Sequence, residues 1–115
     1  MSSVSSLVRW HAVREGWEFK CVEDNGKEGW RWCRGLTVMA SGCAPFRDTM
    51  DDAARTFPEN WRWGCDGEGK WLAFDGKDRV EMFLGQSYVS ADRYVVRSMY
   101  LLSKLVWEFK NGKAD

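Results

Sequence analysis

The sequence predicts an α+β fold in which two tandem βββα units share one antiparallel sheet, with the helices packed on one of its faces. Three observations carry that expectation. Alternating apolar runs occur twice, at Trp17, Phe19 and Cys21 and again at Trp61, Trp63 and Cys65, with an offset of 44 residues. Each run leads into a dipeptide suited to a tight hairpin, Asn25-Gly26 and Asp66-Gly67. Each set of strands then gives way to a segment with helical spacing of apolar residues.

The elements follow in order. Residues 17–21 alternate apolar and charged side chains, as a half-buried strand does, and the chain reverses at Asn25-Gly26 into WRWCR. In that second strand Trp30 and Trp32 share one face, while Arg31 and Cys33 take the other. The run LTVMAS after Gly35 supplies a third short strand rich in β-branched and apolar residues. Thr49 is then placed to cap a helix, with Asp51 and Asp52 at its positive end, Met50, Ala53, Ala54 and Phe57 along one face, and Pro58 as its stop.

The second half repeats the order. NWRWGC, WLAF and RVEMFL read as strands, the last with Val80, Met82 and Leu84 on one face. Ser90 is a candidate cap for a helix whose apolar stripe is Val95, Met99, Leu102 and Val106. The tetrapeptide WEFK occurs at 17–20 and at 107–110. The first copy is expected to be strand. The second continues the helical stripe and meets Asn111-Gly112, so a helix through about residue 110 is expected there. The chain is thus divided as one domain over residues 1–115, with 1–14 an N-terminal extension outside the pattern, 15–59 the first unit and 60–115 the second.

Composition narrows the function classes. A chain of 115 residues supports one core, and 44% hydrophobic with 30% charged residues is globular composition. No apolar run reaches the ~20 residues that cross a bilayer, and the N-terminus does not have the pattern of an export signal, so a soluble cytoplasmic protein is expected, with no membrane partner. Seventeen basic and seventeen acidic residues balance, which weakens non-specific nucleic-acid binding without removing a local basic patch. Cys21, Cys33, Cys43 and Cys65 lack C-x-x-C spacing, so reduced, partly buried thiols are expected and no metal or other cofactor. His11, the single histidine, is expected on the surface. Asp51 with Asp52, and Asp75 with Asp78, are explained by capping and turn formation rather than as acid pairs. DGEGK lacks Walker spacing. An enzyme is therefore not expected.

The motifs TVMASGCAPF and VEMFLGQSY, and the helix starts DTMDDA and VSADRY, resemble those of the small YegP-like proteins of bacteria and archaea, a family of tandem βββα repeats catalogued as a domain of unknown function. The resemblance spans residues 15–105. It implies paired three-strand-plus-helix units in one sheet and implies no catalytic activity. The heavy tryptophan content and residues 1–14 depart from it.

The most prominent constellation is WRW at 30–32 and 61–63. With the tryptophan face under the helices, Arg31 and Arg62 fall on the open face of the sheet, near Arg34. Eight tryptophans exceed what so small a core readily hides, so Trp10 and Trp71 join Arg31, Arg34 and Arg62 as candidate binding residues. Trp17, Phe19, Trp61 and Trp63 are expected in the core. These features favour a protein-interaction module, of which a small phage-type or bacterial inhibitor of a larger complex is a specific form. Nucleic-acid or nucleotide binding by base stacking and arginine contacts, and carbohydrate binding on an exposed tryptophan, are the alternatives.

Overall fold

The computed structural model describes residues 4–84 and 92–113. Within them lie three helices and two antiparallel sheets of three strands each, in the order α1 (Val4–Arg14), β1 (Glu18–Asp24), β2 (Lys27–Arg34), β3 (Thr37–Val38), α2 (Met50–Arg55), β4 (Arg62–Cys65), β5 (Lys70–Phe74), β6 (Arg79–Phe83) and α3 (Asp92–Lys113). The α+β class is as expected. A single shared sheet is not what forms among the described residues: β1-β2-β3 and β4-β5-β6 are hydrogen-bonded separately. The reason lies in β3, which pairs with β2 only through Cys33–Val38 and Arg34–Thr37 before a turn closed by Cys43 N–H to Ala40 carbonyl leads the chain away. LTVMAS thus yields two strand residues where a full strand was expected.

Residues 4–14, expected as an extension, form a helix that enters the core. Val4, Leu7, Val8, His11 and Ala12 follow helical spacing, and Leu7, His11 and Ala12 are buried. The helix ends where Gly16 takes a φ of +93°. There Gly16 N–H donates to Val13 carbonyl at 3.0 Å and Trp17 N–H to Ala12 carbonyl at 3.1 Å, the paired bonds of a Schellman stop. That stop aims Trp17 inward and starts β1.

Both hairpins turn as their sequences dictate. Asn25 and Gly26 adopt φ of 53° and 79°, the left-handed pair that a two-residue hairpin needs, and the register runs from Glu18–Cys33 to Asp24–Lys27. In the second, Asp66 Oδ1 accepts from the backbone N–H groups of Glu68 at 2.7 Å and Lys70 at 3.2 Å, so a carboxylate organises the longer loop. Thr49 caps α2 as expected: its hydroxyl accepts from Asp52 N–H at 3.2 Å and donates to Asp52 Oδ2 at 2.7 Å. Of the stripe expected on α2, Ala53 is buried and Phe57 beyond the helix is half-buried, whereas Met50 and Ala54 are exposed; Asp52 is buried as well.

The core is organised on α3, whose Val96, Met99, Tyr100, Leu102 and Val106 are buried. Helices α1 and α2 and strands β5 and β6 all pack against it. In the second sheet Trp63, Trp71, Ala73, Val80 and Met82 share the α3-facing side by register. Trp71 is 0% exposed and stacks on Trp63 at 6.0 Å. The stripe Val95, Met99, Leu102 and Val106 lies as expected, and the second WEFK is helical, α3 running on to Lys113. Ser90 and Tyr88, the expected cap and its neighbour, lie outside the described residues.

The first sheet stands apart. Its β1 is exposed at every residue but Val22, and neither β1 nor β2 packs broadly against a helix among the described residues. Trp17, Trp32 and the buried Cys33 attach it at its inner end, while Trp61 and Trp63 are partly rather than fully buried. Phe19, expected in the core, is 40% exposed although it lies opposite the buried Trp32, because its strand β1 is the edge of the sheet.

Trp71→Ala removes the largest fully buried side chain and is expected to cost about 3–5 kcal/mol, the range of large aromatic truncations in cores. Trp30→Ala, on the outer part of the hairpin, is expected to cost less than about 1.5 kcal/mol, the loss of one exposed aromatic pair. Urea denaturation of both variants measures the difference, and equal losses would contradict the division between core and hairpin.

Candidate functional site

Three surfaces present chemistry that the core does not consume. The first is the aromatic face of β1 and β2. The register puts Phe19 opposite Trp32, and Cys21 opposite Trp30. Phe19 stacks on Trp30 with ring centroids 5.6 Å apart and leans on Trp32 at 5.2 Å. The guanidinium of Arg9 on α1 reaches over this row, 6.0 Å from the Phe19 centroid and 5.9 Å from that of Trp32. Helix α1 therefore covers the inner end and leaves the outer end open. Trp32 is buried, whereas Trp30 is 61% exposed. A cleft of about 530 Å³ continues from Phe19 and Trp32 past Val4, Val8 and Phe46 to Arg47.

The second surface is the outer side of the second sheet. Register aligns Arg62, Phe74 and Arg79 in one row across three strands, then Gly64, Leu72 and Glu81, then Lys70 beside Phe83. Phe83 is 71% exposed at one end of this face and Phe74 is exposed at the other. Glu81 pairs with Arg79 and, at 3.5 Å, with Lys70. Arg62 has no ion pair among the described residues. No atom lies within 4 Å of where a Cβ on Gly64 would stand, so the centre of this face is open to close approach.

The third is a groove of about 840 Å³ where α1 meets α3, lined by Arg9, Trp10, His11 and Arg14 with Thr56 and Trp107 opposite. Trp107 is fixed by its indole N–H, which donates to Thr56 carbonyl at 2.7 Å. The Arg14 guanidinium lies 4.4 Å over the Trp107 ring and 5.5 Å over Trp10, and donates to Asn111 Oδ1 at 3.1 Å. His11, expected on the surface, is only 3% exposed. Its Nε2 lies 3.1 Å from Tyr100 carbonyl on α3, and donation to that oxygen selects the neutral tautomer protonated at Nε2. Burial, set against that hydrogen bond and reinforced by Arg14 and Lys104, pushes its pKa down to about 4.

The sequence-derived candidates separate across these surfaces. Arg31 folds along its own strand, donating to Trp30 carbonyl at 2.9 Å and occupying the space where a Cβ on Gly29 would stand. Arg34 lies on the opposite face from Arg31 by the alternation of β2, and its guanidinium is 4.5 Å over the Trp17 ring and 3.9 Å from Glu15. Arg62 is on the other sheet, so the expected joint Arg31–Arg34–Arg62 surface does not form. Trp71 is buried and offers no platform, because β5 is the central strand under α3. Trp10 is half-buried in the α1–α3 groove. Sequence reasoning missed Phe74 and Phe83, whose alternation with Trp71, Ala73 and Met82 marks them as outward-facing.

Cys33 is buried, Cys21, Cys43 and Cys65 are exposed, and all four are free thiols. Cys21 lies on the open hairpin, Cys43 between β3 and α2, and Cys65 at the end of the edge strand β4. Among the described residues no three His, Cys, Asp or Glu side chains gather at metal-binding distance, and no helix is long and apolar enough to cross a membrane.

Comparison with family models, with curated proteins and with solved structures yields no match. The YegP-like resemblance rests on its motifs alone.

The lowered His11 pKa makes stability depend on pH with a definite sign. The unfolded chain takes up the His11 proton near its ordinary 6.5 and the folded chain only near 4. The stabilisation from neutral His11 is therefore full above about pH 6.5 and is lost as pH falls toward 4, about 3 kcal/mol in total at ~1.4 kcal/mol per unit. Unfolding free energies of the wild type and His11→Gln between pH 7 and 5 check this. The wild type is expected to lose the larger share, and parallel profiles would contradict the assignment.

Proposed function

We propose that this chain is a non-enzymatic protein-interaction module whose docking surface is the outer aromatic face of the first hairpin. The observation that carries this is the stacked Phe19–Trp30 pair, exposed on two strands that the helical core does not cover. Tryptophan and arginine are the side chains that most often anchor protein interfaces, and here Arg9 stands beside the pair. The cleft leading to Phe46 and Arg47 extends the surface with both apolar and cationic groups. Inhibition of a larger complex by a small phage-type or bacterial protein is the specific form that a projecting hairpin suits. Four free thiols suit a reducing compartment, which supports a cytoplasmic location.

A second reading is favoured by a separate observation. On the second sheet, Phe74 and Phe83 are exposed on the face that carries Arg62, Lys70 and Arg79, with Glu81 and, at its edge, Asp78 as the carboxylates. Single-stranded nucleic acid binds such faces by stacking bases on aromatics and neutralising phosphates. The neutral balance of the whole chain weighs against this and places it second.

One experiment separates them. Tagged wild type, Trp30→Ser and Phe83→Ser are purified from cells of the protein's source with and without nuclease. The first reading expects one stoichiometric protein partner that resists nuclease and is lost with Trp30→Ser but kept with Phe83→Ser. A nuclease- and salt-sensitive complex lost only with Phe83→Ser would replace it with the second. A partner indifferent to Trp30→Ser would refute the first.

A further inference from the structure

We propose that the groove between α1 and α3 is a binding site for a small phosphate-bearing ligand with a flat ring, of the mononucleotide class. It shares Arg9 with the hairpin surface but is centred on Trp10, Arg14 and Trp107, which that surface does not use. Its volume of about 840 Å³ lies within the range of small-molecule sites, ~300–1,000 Å³, and its walls combine aromatic surface with cationic groups.

The charge balance of the groove is one-sided. Arg9 and Arg14 both line it, and among the described residues neither has a carboxylate at ion-pair distance. Glu15 is the one carboxylate in the lining, and its Oε2 is directed at Arg34, 3.9 Å away. Lys110 adds a further ammonium 5.1 Å over the outer ring of the wall, Trp107. Lys104, over Trp10, is balanced by Glu108 at 3.7 Å. An anion entering here meets guanidinium groups that no acid among the described residues neutralises.

Geometry gives those groups direction. Arg14 is held over Trp107 and Trp10, and among the described residues one hydrogen bond, to Asn111, is drawn from its five N–H donors. A guanidinium positioned by aromatic rings keeps its remaining N–H groups for a bidentate contact with phosphate oxygens. Trp107 cannot swing away, because its indole N–H is engaged by Thr56 carbonyl. Trp10 and Trp107 therefore hold the Arg14 guanidinium over their faces, and a flat ring entering the groove lies beside this stack while its phosphate meets Arg14 and Arg9. Two arginines without an ion pair among the described residues, beside Trp10 and the anchored Trp107, exceed what is needed to seat α1, which the buried Leu7, His11 and Ala12 already accomplish.

The test is a titration of the full chain with ADP, adenosine and orthophosphate, read by intrinsic fluorescence and by the indole N–H signals in ¹H–¹⁵N spectra. ADP is expected to bind saturably and to shift the Trp10 and Trp107 signals, with adenosine and orthophosphate each at least about tenfold weaker, the factor expected for loss of a charge-assisted or stacking contact. Arg14→Lys, which keeps the charge but loses the planar fork, and Arg9→Gln, which leaves the Trp10, Trp107 and Asn111 contacts of Arg14 in place, are each expected to weaken ADP about tenfold. Arg62→Gln on the second sheet is expected to leave it unchanged. Non-saturable ADP shifts, shifts confined to Trp30, equal affinity for adenosine, or wild-type affinity in a folded Arg9→Gln would overturn the proposal.

Discussion

Helix α3 is the constraint on which the rest of the molecule depends. It buries Val96, Met99, Tyr100, Leu102 and Val106, and both α1 and the segment around α2 meet it with a polar tie as well as apolar contact. Helix α1 reaches Tyr100 carbonyl through His11. The segment around α2 is tied twice, by the Tyr100 hydroxyl donating to Arg47 carbonyl and by the Trp107 indole donating to Thr56 carbonyl. The second sheet contributes Trp71 and Met82 from its inner side. A donor or acceptor left alone in such a place costs about 1–3 kcal/mol, so these ties fix where each element sits rather than adding much net stability. Two buried polar atoms, Trp71 Nε1 and Ser103 Oγ, have no partner among the described residues, which identifies the α3–β5 contact as governed by packing.

The first hairpin obeys a different rule. An isolated pair of strands is marginal in water, and here β3 adds only two residues of pairing. Its stability comes from the Asn25-Gly26 turn, from cross-strand aromatic contacts worth about 0.5–1.5 kcal/mol each, and from the anchorage of Trp17 and Cys33 at its base. What remains unburied is the outer half of the aromatic row. At 61% exposure Trp30 leaves about 100–150 Å² in water, or about 3 kcal/mol of burial still to be gained against a partner. Function is thus assigned to surface that the core leaves over, and the same logic distinguishes the exposed Phe83 from the buried Trp71 in the second sheet.

Much of the local structure was legible in the sequence because it depends on neighbours in the chain. Asn25-Gly26 requires left-handed backbone wherever it occurs in a hairpin, Thr49 needs only Asp52 three residues on, and the stripe on α3 is set by helical period. Identical letters did not mean identical structure: WEFK is strand at 18–20 and helix at 107–110, since flanking periodicity overrides four residues. Helix α1 was also legible, through Val4, Leu7, Val8, His11 and Ala12 and the Gly16 stop, but its lack of an acidic first turn and its serine-rich start obscured it. The candidate sites were harder to see. Whether Trp71 or Trp30 is the exposed ring depends on which sheet face meets α3, and whether Arg31 joins Arg62 depends on two sheets forming instead of one. Both are long-range outcomes that alternation along a strand does not encode.

The central claim is that a helix-centred core carries the aromatic hairpin as an energetically separate unit, and native-state hydrogen exchange tests it most directly. The account predicts that amides from Met99 to Val106 exchange only with the free energy of global unfolding, while those pairing Phe19 with Trp32 and Cys21 with Trp30 exchange through local opening at least about 2 kcal/mol cheaper. A single common value for α3 and for the hairpin would contradict it.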